Sequence, residues 1–68
     1  MNIPKLKGVI DEKGIVHDDI RPLWGNCSRQ TVSNKVNGKV PITLEEATKF
    51  SDYAGLTDTE RANIFLSS

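Results

Sequence analysis

The sequence predicts an all-α domain, five short helices in one compact unit, with a helix-turn-helix among them. Three observations carry this. Apolar residues recur at three- and four-residue spacing in each segment, no segment alternates apolar and polar residues in the strand manner, and hydroxyl residues suited to helix N-caps alternate with glycine-containing turns. With 68 residues the chain makes a single domain, spanning 1–68. A domain of this size buries only about 60% of the surface its unfolded form exposes, so compact helical packing must supply the stability. The lone Cys27 excludes an intramolecular disulfide, and no Cys/His cluster has structural-zinc spacing.

The first helix is expected from about Pro4 to Lys13, because proline is tolerated at a first helical position and Leu6, Val9 and Ile10 follow on one face. Lys13 complements the negative helix end and Gly14 stops it. A second helix is expected over His17 to Trp24, with Asp18 and Asp19 at its positive end and Ile20, Leu23 and Trp24 as its apolar face. Ser28 is a good N-cap for a third helix over Arg29 to Val36, with Val32 and Val36 pointing inward and Asn37-Gly38 closing it. Two capping boxes, Thr43-Leu44-Glu45-Glu46 and Thr57-Asp58-Thr59-Glu60, start the fourth and fifth helices. The fourth is expected to present Leu44, Ala47, Phe50 and Ala54 to the core, with Tyr53 at the margin; the fifth presents Ala62, Ile64 and Phe65 or Leu66.

Net charge is zero, which by itself argues mildly against a nucleic-acid partner. The distribution argues the other way. Residues 1–26 hold four basic and four acidic side chains, residues 27–43 hold Arg29, Lys35 and Lys39 with no acid, and residues 44–68 hold two basic and five acidic. No apolar run is long enough to span a bilayer and the first residues lack the apolar stretch of a signal peptide, so a soluble, cytoplasmic protein is expected.

The functional constellation lies at about residues 17–36: two short helices, a glycine-containing turn, and Ile20, Trp24, Val32 and Val36 facing one interior. In such an arrangement the first helix braces the second, whose outer face is left free to enter a groove ~12 Å wide. Here that face is expected to hold Arg29, Gln30, Ser33, Asn34 and Lys35, with Thr31 at the margin. Arginine can donate two bonds to guanine O6/N7, and glutamine or asparagine can pair with adenine N6/N7, so this is the chemistry of direct base readout.

The run Ser28-Arg29-Gln30-Thr31-Val32-Ser33-Asn34-Lys35-Val36-Asn37-Gly38-Lys39 closely resembles the recognition segment of the phage Cro and repressor (XRE-type, lambda-repressor-like) family. Glu12-Lys13-Gly14-Ile15, Thr43-Leu44-Glu45-Glu46-Ala47 and Tyr53-Ala54-Gly55-Leu56 with Ile64-Phe65-Leu66 extend the resemblance over nearly the whole chain. It implies a five-helix domain that binds double-stranded operator DNA, commonly as a dimer, to regulate transcription. Carried across by position, Arg29, Gln30 and Asn34 match base-reading residues, with Ser33 a further contact. His17, Asn37 and Lys39, joined by Ser28, Thr31 and Lys35, are assigned to the phosphate backbone. Three features depart from the family: the turn Gly25-Asn26-Cys27-Ser28 is one residue longer, Arg21-Pro22 replaces good helix formers, and Val16 stands where a hydroxyl cap is usual.

Other functions are less well supported. The lone His17 has no nucleophile or metal partner near it, so neither an enzyme nor a metal or cofactor is expected. Asp18-Asp19 and Glu45-Glu46 sit at helix starts, where capping and dipole roles suffice, Trp24 reads as core and Cys27 as a packed turn residue. The main rival is a small protein-interaction module, such as an anti-repressor or antitoxin-like partner of another regulator. Three consecutive apolar residues span more than one helix face, so Ile64-Phe65-Leu66 is expected to offer a weak homodimer surface, or a docking surface for a partner repressor.

Overall fold

Asn2, rather than Pro4, sets the start of the first helix, because its side-chain oxygen accepts from the Lys5 N–H at 3.1 Å. The computed structural model describes residues 1–66. Helix α1 (Ile3–Glu12) buries Leu6, Val9 and Ile10, and the Asn2 N–H donates to the Ile64 carbonyl at 2.7 Å, tying the chain's start to the last helix. After Gly14, Ile15 turns into the core and α2 (His17–Ile20) begins. Val16 offers no hydroxyl there, but Asp19 reaches back and accepts from the Val16 N–H at 3.1 Å, half of a capping box.

The second helix does not run on to Trp24 as the pattern predicts. It ends at Ile20 and continues as a tighter 3-10 segment, Arg21–Trp24. Pro22 is the cause: it has no N–H for the Asp18 carbonyl, and its ring would crowd that carbonyl in an α-helix. The 3-10 segment still delivers Trp24 to the interior, where the indole N–H donates to the Glu46 carbonyl at 3.0 Å.

Helices α3 (Arg29–Val36), α4 (Leu44–Ala54) and α5 (Asp58–Phe65) start at Ser28, Thr43 and Thr57. Thr43 and Thr57 form complete capping boxes: their hydroxyls accept from the N–H of Glu46 and Glu60 at 3.2 and 3.1 Å, and those carboxylates accept in return at 2.9 and 3.0 Å. The loop after α3 passes close to α1. Gly38 takes φ +78°, where a side chain is strained, and a Cβ there would lie 3.1 Å from Ile3 Cγ1, so Ile3 would have to give way.

One core joins all five helices, with Leu6, Ile20, Val32, Phe50 and Ile64 fully buried at its centre. Phe50 packs between Trp24, 6.4 Å away and tilted, and Phe65, 6.1 Å away and edge-on. One expected core assignment on α4 changes, and the open choices at Tyr53 and between Phe65 and Leu66 are decided. Leu44 stands on the first turn of α4, where no neighbouring element covers it, and is 76% exposed; Tyr53 is also exposed. On α5 the apolar trio divides: Ile64 is buried, Phe65 is half-buried against Phe50, and Leu66, at the C-cap, is 70% exposed. Of the trio, what is left uncovered is Leu66 with the outer part of Phe65, since successive helical residues diverge by about 100° and Ile64 points into the core. Among the described residues no helix is long and apolar enough to cross a membrane.

Candidate nucleic-acid interface

The turn between the 3-10 segment and α3 fixes how α3 is presented. Gly25 and Asn26 are successive left-handed residues, with φ +77° and +58°. Glycine takes this conformation freely and asparagine is among the side chains that tolerate it best. The Asn26 N–H donates to the Arg21 carbonyl at 2.8 Å, and Arg21 Nε spans the turn to the Cys27 carbonyl, also at 2.8 Å. The residue that makes this turn long is thus absorbed in a bonded loop. The half-buried Cys27 packs against the core as a turn residue.

With Val32 and Val36 buried, α3 turns Gln30 outward and leaves Ser33 and Asn34 half-exposed beside it, while Arg29 is exposed at the start of the helix. Gln30 Nε2 donates to Asn34 Oδ1 at 3.0 Å, one turn along the helix. That bond uses one of the two N–H donors of Gln30 and leaves its side-chain carbonyl and both Asn34 amide N–H donors without a partner among the described residues. The face therefore carries paired donors and acceptors one helical turn apart.

Arg29 is engaged from the side. Its Nε donates to Asp18 Oδ1 at 2.8 Å and its Nη2 to Asp18 Oδ2, while Arg21 Nη1 lies 3.5 Å from the same Oδ1. The Arg29 guanidinium, with Arg21 behind it, lowers the Asp18 carboxyl to about 2, and the pairing in turn raises Arg29 further above its ordinary range.

Lys35 departs most from expectation. It follows Val32 by one turn in the last turn of α3, where its ammonium pairs with Glu46 and sits 5.8 Å from the centre of the Trp24 ring. Both side chains of the pair are largely covered, so Lys35 is removed from the DNA-facing set. Burial pushes the Glu46 carboxyl up, but Lys35 and the Thr43 N–H together outweigh it, and the net shift is downward.

The other backbone-assigned residues fall into two groups. Ser28 and Thr31 share a hydroxyl contact of 3.0 Å at the start of α3, the Ser28 hydroxyl also accepting from the Thr31 N–H. Asn37 Nδ2 donates to the Ser33 carbonyl at 2.7 Å and so finishes α3, which is a capping role. His17 and Asn37, distant in sequence, line one recess of about 210 Å3 beside α1. Lys39 is exposed and has no ion-pair partner among the described residues.

These pairings redraw the electrostatics. Of the three cations in residues 27–43, two are matched by acids from α2 and α4, so the positive middle of the sequence does not persist as a basic face. The pairing of Asp18 with Arg29 and of Glu46 with Lys35 is not readable from the sequence. Each acid lies at a helix start, where a local role is sufficient explanation, and each meets its partner across 11 positions of chain. No family model, curated protein or solved structure matches this chain.

Proposed function

We propose that the chain is a sequence-specific double-stranded DNA-binding regulator that lays the outer face of α3 in a major groove. The observation that carries this reading is how α3 is presented: Val32 and Val36 anchor it in the core, Gln30 and Asn34 stand on the opposite side, and Arg29 is exposed in the first turn, each able to read a base edge. Ser33 lies on the same side. His17 and Lys39 are the phosphate contacts this docking favours, with Ser28, Thr31 and Asn37 secondary because their side chains are already engaged in the helix ends. A protein-interaction module gains little from the exposed apolar side chains. Leu44 and Tyr53 are nine residues apart on α4, half a helical turn out of phase, and so form no common patch.

One recognition helix on a domain of zero net charge makes a single-module interface, which binds weakly at physiological salt. Two copies on a near-palindromic site, with half-sites about 34 Å apart, are the expected working form. Of the apolar trio on α5, Leu66 and the outer part of Phe65 are open to such a joint, as Ile64 is buried. The test is a footprint on the DNA flanking the chain's own gene. Protection of a short, two-fold-related site, lost in Gln30→Ala with a weakening of about 1–3 kcal/mol, is the expected result. A footprint indifferent to Gln30 would take α3 out of the groove.

A further inference from the structure

We infer that Asp18 and Arg29 act as one reading unit, Asp18 positioning the Arg29 guanidinium so that its outer end meets the O6 and N7 of a guanine. The inference rests on the DNA-reading function proposed above and names a base for it. Its basis is which edge of the guanidinium Asp18 occupies. A guanidinium carries five N–H donors in a rigid plane. Nε and one N–H of Nη2 form its lateral edge, and these are the two that Asp18 takes, Nε at 2.8 Å from Oδ1 and Nη2 on Oδ2. The end edge, made by Nη1 and the second N–H of Nη2, has no partner among the described residues and is the fork that matches guanine O6/N7.

The carboxylate is itself held. Asp18 is on the first turn of α2, next to the buried Ile20, and Arg21 lies 3.5 Å behind it while bonded at 2.8 Å to the Cys27 carbonyl. Arg21, Asp18 and Arg29 thus run in a line from the turn to the reading face. Held this way, Arg29 loses less rotamer freedom on meeting a base than an unsupported arginine would. The pair is not there for stability: the side chains are 70% and 45% exposed, and exposed pairs contribute little. Asp18 also places a negative charge near the phosphates, which disfavours any docking in which Arg29 does not receive a base in return.

The experiment is selection from a pool of duplexes with a randomised core, carried out with the wild-type protein and with Asp18→Asn, Asp18→Glu and Arg29→Ala, followed by affinity measurement on the enriched duplex and on the same duplex with 7-deazaguanine at the indicated position. Thermal unfolding of each variant establishes that it is folded. The wild type is expected to enrich one guanine per half-site and to lose roughly tenfold in affinity on the 7-deazaguanine duplex. Asp18→Asn is expected to lose that discrimination as Arg29→Ala does, while binding non-specific duplex as well as or better than the wild type; Asp18→Glu is expected to regain part of it. If Asp18→Asn keeps the full guanine preference, or binds the enriched duplex more tightly with the preference intact, Asp18 is a competitor for Arg29 and the inference fails while the DNA-reading function stands. A wild-type protein that enriches no sequence overturns both.

Discussion

Two ion pairs join α3 to its neighbours, each bridging 11 positions of sequence, and their surroundings are opposite. Arg29–Asp18 stands in solvent at the outer start of the helix, whereas Lys35–Glu46 is covered, lies against Trp24 and shares its carboxylate with the Thr43 N–H. A cation's place along the helix and the element that covers it there, not its presence in a basic stretch, decide its work. In the last turn Lys35 fastens α3 to α4; in the first turn Arg29 is braced yet keeps donors for a ligand.

The sharpest contrast is in stability. Lys35→Ala leaves the covered Glu46 carboxylate without its cation and is expected to lose about 1–3 kcal/mol in denaturant unfolding. The double variant Lys35→Met/Glu46→Gln is expected to lose less than the sum of its single changes, because removing both charges leaves neither stranded. Additive losses would show that the pair does not act as one. Arg29→Ala is expected to do the reverse, weakening binding to the preferred duplex by about 1–3 kcal/mol while its unfolding transition stays close to that of the wild type. Equal effects of Lys35→Ala and Arg29→Ala on the fold would break the comparison.

Acid sharpens it further. Asp18 titrates at 3.8 when unpaired and about 2 in the fold, so its contribution to stability is full above 3.8 and is lost as pH falls through 2. Glu46, also lowered, loses its contribution as pH falls below its ordinary 4.5. Asp18→Asn is accordingly expected to lower the profile slightly and evenly above 3.8 and to remove the fall between 3.8 and 2, measured by unfolding at stepped pH. The smallest effect expected is at Lys39. Removing it should weaken specific and non-specific duplexes alike and lower the salt slope of binding by about one unit. A changed base preference in Lys39→Ala would place it among the readers.

Much of the fold is legible because its signals are local. Ser28, Thr43 and Thr57 cap the helices their side chains suggest, and Val32 and Val36 mark the inner side of α3. Apolar spacing carries the second helix too far, to Trp24, because a 3-10 segment meets that spacing as well as an α-helix does, and Pro22 selects the former. Lys35 and Arg29 are each one turn from Val32, so spacing does not tell them apart; Lys35 is covered because Trp24 and Glu46 meet it at its end of the helix, where its apolar stem shares a face with core residues. Leu44 and Leu66 show the limit of periodicity, which gives a direction from the helix axis but not whether another element is there to cover it. The two ion pairs depend on how α2 and α4 pack against α3, and no spacing in the chain encodes that.

The central claim, that α3 divides into a reading side and a fastening side, is tested most directly by nuclear magnetic resonance of the isotope-labelled protein as its enriched duplex is added. The side-chain signals of Arg29, Gln30 and Asn34 are expected to shift with the duplex, while the Lys35 ammonium and the Trp24 indole N–H stay where they are in the free protein. Shifts concentrated instead at Leu44, Tyr53 or Leu66, with the outer face of α3 unmoved, would contradict the account.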